Sequence, residues 1–128
     1  MNATLVSLAE RQLAERQKAL VTQIREHLAL SGDAQLRAQA NQYQATDDDA
    51  VADYFAEMEL STLSRELQEL RDIQSARERI RDRGFGICFD CADPIDPARL
   101  SAYPTARRCL ACQQIHERLY AGNDSASL

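Results

Sequence analysis

The chain has 128 residues, enough for one domain with a modest core, or for one domain and a small appendage. Aromatic residues make up 5%, Trp is absent and the formal net charge is −5. These values exclude a globule built round large buried rings and a general nucleic-acid binder, which needs Lys and Arg clustered against phosphates.

The opening segment LVSLAERQLAERQ meets charge at Glu10 and Arg11, so it reads neither as a signal peptide nor as a membrane span, and a cytoplasmic monomer is expected. Leu13, Leu20, Ile24 and Leu28, preceded by Val6 and Ala9, recur at helical spacings and predict a first helix. The stretch LSGDAQ is its weak point. Gly32 costs about 1 kcal/mol against Ala inside a helix and Asp33 can start a new one, so a kink or fray is expected there. Val51, Phe55, Met58, Leu60, Leu63, Leu67, Leu70, Ile73 and Ile80, mostly three or four residues apart, predict a second helix. Joined by the short polar segment from Gln42 to Asp48, the two helices read as an antiparallel hairpin, a coiled coil with each arm roughly 50 Å long at ~1.5 Å per residue.

Charge is uneven along this hairpin. Asp47, Asp48, Asp49, Asp53, Glu57, Glu59, Glu66 and Glu69 face Arg65 alone between positions 47 and 69, and arginines then crowd Arg71 to Arg83. The acid run falls at the tip of the expected rod. Thr46 and Asp49 approximate a capping box, which accounts for one or two acids near a helix start and does not require three in a row.

Up to Arg83 there is no Pro and a single Gly, Gly32, whereas all three Pro and the other Gly residues follow. A division is expected there, with an antiparallel coiled-coil hairpin over 1–83, its acidic tip near 45–50, and a compact tail over 84–128. In the tail, Cys88 and Cys91 form one Cys-x2-Cys pair and Cys109 and Cys112 a second, with seventeen residues between the pairs. That spacing suits one four-thiolate Zn²⁺, and four protein ligands leave no open position for substrate water, so the ion is read as structural. A redox dithiol and an iron–sulfur centre are the alternatives. Asp93-Pro94, Asp96-Pro97, Gly84 and Gly86 supply turns. His116 and His27 read as surface residues, Leu110 to Tyr120 as a short helix, and AGNDSASL as a frayed end. With no nucleophile beside a base, no phosphate loop and no open metal position, no catalytic residue is assigned and an enzyme is not expected. The fold class is therefore all-α with a C-terminal four-cysteine zinc finger.

Gly86-x-Cys88-x2-Cys91, Ile95, Arg99-Leu100, Pro104-Thr105-Ala106 and Cys109-x2-Cys112, in that order, resemble the DksA/TraR family of bacterial transcription regulators. The likeness extends through the second helix to Asp48-x-Ala50 and more weakly through the first. It implies a protein of the stringent response type that binds RNA polymerase, without direct sequence-specific DNA binding, by inserting its hairpin into the secondary channel. Asp48 and Ala50 match the family's Asp-x-Ala tip signature, with Asp47 and Asp49 beside them facing the polymerase active site, and Arg65 matches an arginine used near the channel. The chain is expected to be a short member without the N-terminal segment of the longer relatives, and it carries Ala45 at their outer tip aspartate. Asp72 and Gln113 stand at basic positions associated with the alarmone ppGpp, so polymerase binding is better supported than a response to ppGpp. A transcript-cleavage-type channel factor and a zinc-stapled coiled-coil adaptor are the competing readings.

Overall fold

The computed structural model describes residues 2–42 and 48–127. Their regular structure is helical apart from one isolated antiparallel bridge between Ile87 and Pro94, so the all-α class holds among the described residues. The elements are α1 (Ala3–Ala29), α2 (Ala34–Gln42), α3 (Asp48–Ala56), a single 3-10 turn (Ser61–Leu63), α4 (Ser64–Arg81), α5 (Pro97–Ala102) and α6 (Leu110–Ser127). They fall into two compact units, one of residues Arg11–Ser75, the other of Met1–Glu10 with Ala76–Leu128.

The first unit is held by the apolar stripes read from the sequence. Leu13, Leu20, Val21, Ile24 and Leu28 of α1 are buried, as are Val51 and Phe55 of α3 and Leu67, Leu70 and Ile73 of α4. The expected weak point at LSGDAQ is a complete break. Ser31 Oγ accepts from the Asp33 amide at 3.1 Å, and Asp33 Oδ1 accepts from the Gln35 amide at 2.8 Å, so Asp33 caps the start of α2. Arg37 closes the corner by donating to the Ser31 carbonyl at 2.7 Å.

The second helix is not continuous as expected. It splits into α3 and α4, with Glu57 to Leu60 outside any helix. Arg71 is the reason. Its Nε donates to the Ala56 carbonyl at 2.8 Å and its Nη2 to the Met58 carbonyl at 2.7 Å, occupying acceptors that a continuing helix would offer to the amides of Leu60 and Thr62. The two-residue step from Met58 to Leu60 was the local sign, since two residues turn a helix face by about 200° and move the apolar stripe to the other side. The connection between α1 and α4 is thus not the short polar segment expected; it contains α2 and α3. The two long helices still run in opposite directions, with His27 facing Glu66 at 3.9 Å and Arg16 clasping Glu69 through Nε and Nη2 of its guanidinium.

The second unit is built on Ala9, Phe85, Cys88, Ile95 and Leu100, with Val6, Ile80, Ala106, Cys109 and Cys112 packed against them. The first turns of α1 and the last of α4 therefore share a core with the cysteines. Asp96 opens α5 by accepting from the Ala98 amide at 2.9 Å, with Pro97 in the first turn where its missing N–H costs nothing. At the other end of the unit α6 runs to Ser127, seven residues past the expected end at Tyr120, through a stretch without proline.

Two substitutions test the packing of the first unit. Arg71→Met leaves two carbonyls at the end of α3 without their charged donor and should lower unfolding stability by about 2 kcal/mol in urea titrations. Glu69→Gln should cost under about 1 kcal/mol, because the pair is half exposed. Hydrogen bonding to Arg16 holds the Glu69 carboxyl below its ordinary range, so this small contribution is present at neutral pH and disappears as pH falls through the carboxylate range.

Candidate metal centre and acidic segment

Two knuckles bring the four cysteines together. In the first, the Cys88 amide donates to the Asp93 carbonyl at 2.9 Å and the Ala92 amide returns to the Cys88 carbonyl at 3.0 Å, which places Ala92 at a φ of 64°. Gly86 sits at a φ of 86°, a conformation that favours glycine, and its carbonyl receives the Ile95 amide at 2.7 Å. In the second, the Cys112 amide points at Cys109 Sγ from 3.5 Å, and the Gln113 amide reaches the Cys109 carbonyl as α6 begins. The Phe89 amide donates to the Arg107 carbonyl at 2.9 Å, and Arg108 Nε to Asp90 at 2.8 Å, tying one knuckle to the other.

All four Sγ atoms lie within 4.8 Å of one another, Cys91 and Cys109 at 3.9 Å. A tetrahedral zinc with Zn–S of ~2.3 Å separates its sulfurs by about 3.8 Å, so the donor set fits that ion. The proton affinities fit as well. Burial pushes the Cys88 thiol up, but surrounding backbone hydrogen bonds from Cys91, Cys109 and Asp90 outweigh it and hold the group at about 6. Cys112 is pushed up, chiefly by Cys109. Cys91 is drawn down by the backbone at Asp93, yet its neighbours, Cys88 foremost, leave it raised. Without a cation the neighbouring sulfurs thus disfavour ionisation of Cys91 and Cys112, and a divalent ion lets all four ionise. The cysteines hold one structural Zn²⁺, with every coordination position filled by the protein.

One feature of the finger was missed by sequence reasoning. Phe89, half exposed between Cys88 and Cys91, lies under two guanidinium groups, with Arg79 at 5.2 Å and Arg107 at 6.0 Å from its ring centre. Arg79 belongs to α4, so this stack braces the knuckle on the helix. An aromatic inside a Cys-x2-Cys loop was the available signal; nothing local named its partners.

The acidic residues are placed differently from one another. Asp47 lies outside the described residues and Asp48 is the first residue of α3. Asp49 and Ala50 are exposed, and Asp49 Oδ1 accepts at 2.7 Å from Nε2 of Gln17, a side chain only 3% exposed in the middle of α1. Asp53 likewise accepts from Gln74 of α4 at 2.6 Å. Arg65 is exposed on the first turn of α4. Asp72 accepts from Gln68 at 3.0 Å and Gln113 donates to Glu117 at 3.1 Å, so both are engaged on their own helices. Among the described residues no helix is long and apolar enough to cross a membrane.

The prokaryotic dksA/traR C4-type zinc finger model matches residues 83–118, which include both knuckles. The chain is 37% identical over 60 residues to an 8.5 kDa protein of Escherichia phage 186, of which it covers 80%. The chain belongs to the DksA/TraR zinc-finger family. Longer family members are similar over a smaller share. The RNA polymerase-binding transcription factor DksA of Buchnera aphidicola is 37% identical over 68 residues, which are 51% of this chain and 45% of that protein. The protein of the same name from Caulobacter vibrioides is 38% identical over 61 residues, 48% of this chain and 43% of that one. The chain thus matches less than half the length of these curated DksA relatives.

Elemental analysis of the purified protein should find one zinc per chain, and Cys109→Ser should abolish tight retention. Because zinc keeps the thiols ionised, the folded-state proton affinities are depressed; the stabilisation is complete above the ordinary thiol range and is lost as pH falls. Amide protection factors over residues 85–112, which are corrected for the intrinsic exchange rate at each pH, should therefore fall at least tenfold with chelator at neutral pH, or with acid alone.

Proposed function

We propose that this protein regulates transcription initiation by binding bacterial RNA polymerase through its secondary channel, with the acidic segment as its acting part. The observation that supports this most strongly is the family's four-cysteine finger sharing one core with the ends of α1 and α4, in a chain similar to proteins named RNA polymerase-binding transcription factors. Zinc fixes the base of the helices. The acidic residues Asp47, Asp48 and Asp49, with Ala50 closing the Asp-x-Ala signature, face the polymerase active site, and Arg65 contacts the channel wall.

The chemistry asked of the carboxylates is modest. Beside a cationic, metal-bearing centre, fixed negative charge alters the free energy of neighbouring mobile elements through space, and no bond in a substrate need break. The net charge of −5 favours such a centre as target and disfavours duplex DNA. Asp72 and Gln113 offer no cation to a tetraphosphate, so polymerase binding is better supported than a response to ppGpp. The protein acts in the cytoplasm as a monomer.

The test is initiation by purified bacterial RNA polymerase at a ribosomal-RNA-type promoter, with and without the protein and with Asp48→Asn. Inhibition by the parent chain, a reduction of that effect by at least about fivefold in Asp48→Asn, and equal binding of both forms are expected. Absence of binding by either would remove the proposal and favour a zinc-stapled adaptor with another partner, whereas stimulated cleavage of a backtracked transcript would favour a cleavage factor.

A further inference from the structure

The two breaks in the helices of Arg11–Ser75 are neighbours. Leu30 and Ser31 of the first break line the same apolar cleft of about 370 Å³ as Leu60 of the second and Thr62 of the turn that follows it. From that level α2 and α3 fold back along the long helices, because Asp49 meets Gln17 thirteen residues before Leu30, ~20 Å along α1 at ~1.5 Å per residue. Gln17 lies on the buried stripe of α1, four residues after Leu13 and three before Leu20, where an apolar residue would suit a plain helix face. Its amide is spent on Asp49, and Gln74 does the same for Asp53.

We propose that α2 and α3 form an arm that swings about the paired breaks, from the folded-back state latched by Gln17–Asp49 and Gln74–Asp53 to an extended state that carries the acidic segment to the far end of the helices. The arm's existence stands on the geometry alone; what it meets when extended rests on the polymerase reading above. Nothing at the breaks prevents straightening. The space around Gly32 is open and its backbone is not left-handed, so α1 and α2 can become one helix. The Ala56 and Met58 carbonyls that Arg71 now holds can take helical amides instead, joining α3 to α4. Leu36 and Ala40 of α2, and Val51 and Phe55 of α3, are each four residues apart and can cover one another once the arm leaves the long helices. Extension exchanges the two latches for water and uncovers part of the α3 stripe, so the folded-back state dominates in the free protein. A partner shifts the balance only by binding the extended state more tightly.

Pulsed electron paramagnetic resonance on the zinc-loaded full chain tests this. Nitroxides are attached to p-acetylphenylalanine placed at Lys18 and Ala50, both exposed, so the cysteines stay untouched. Straight helices would separate these positions by about 33 Å at ~1.5 Å per residue, twelve residues to Leu30 and ten back from Leu60, whereas the folded-back state keeps them close. The unmodified background should show the short distance. Gln17→Leu with Gln74→Ala should raise the long-distance fraction about tenfold, the effect of two lost hydrogen bonds. Gly32→Ala with Asp33→Ala should do so by a different route, through helix propensity and loss of the α2 cap, with helical ellipticity retained or increased. Core RNA polymerase should also populate the long distance. A long distance already in the background, or no shift in either double variant with ellipticity intact, overturns the arm. Polymerase that binds while the short distance persists overturns its role in presentation. Variants that extend while polymerase fails to bind leave the arm standing and remove the polymerase reading.

Discussion

Four thiols cannot occupy a space of 4.8 Å as anions without a cation among them, and the unit containing the finger depends on that constraint. Cys88 is itself part of the core with Ala9, Phe85, Ile95 and Leu100, and Cys109 and Cys112 pack against it. Val6 and Ile80 lie on the same core. The metal therefore organises the knuckles and also ties the beginning of α1 to the end of α4. A core of this size would be marginal without such a staple, and the ligand free energy becomes folding free energy.

Away from the metal, structure is set by polar groups placed among apolar stripes. Leucines and isoleucines at helical spacing bury one face of α1, α3 and α4, but they do not say where a helix stops. Arg71 does this by satisfying two carbonyls at the end of α3, and Asp33 does it by offering a carboxylate to the first amides of α2. Gln17 and Gln74 add direction, for each donates to one aspartate of α3 and so determines which way that helix lies. An acidic segment held in this way is both a structural element and a reserve of charge, and the same carboxylates cannot serve both purposes at once.

Much of the site was legible in the residues. Two Cys-x2-Cys pairs at a finger-like spacing are specific because few other arrangements need four thiolates so placed, and the family likeness rested on the same positions. The break at Gly32 was readable because its causes, a glycine and a capping aspartate, are local. The break after Ala56 was half readable. The two-residue step from Met58 to Leu60 marked a change of face, yet the group that ends the helix comes from fifteen residues away.

What the sequence by itself determined is the all-α class, the apolar faces of the helices and the four ligands of the zinc, all consequences of spacing within about one turn or one knuckle. Tertiary structure alone decided that Asp49 meets Gln17 across 32 positions, that Phe89 meets the guanidinium groups of Arg79 and Arg107, and that the first turns of α1 share a core with the finger. The physical reason is one of range. Periodicity and capping act through the backbone of near neighbours, whereas a glutamine amide or a guanidinium selects among many exposed acceptors only after packing has brought one of them within about 3 Å.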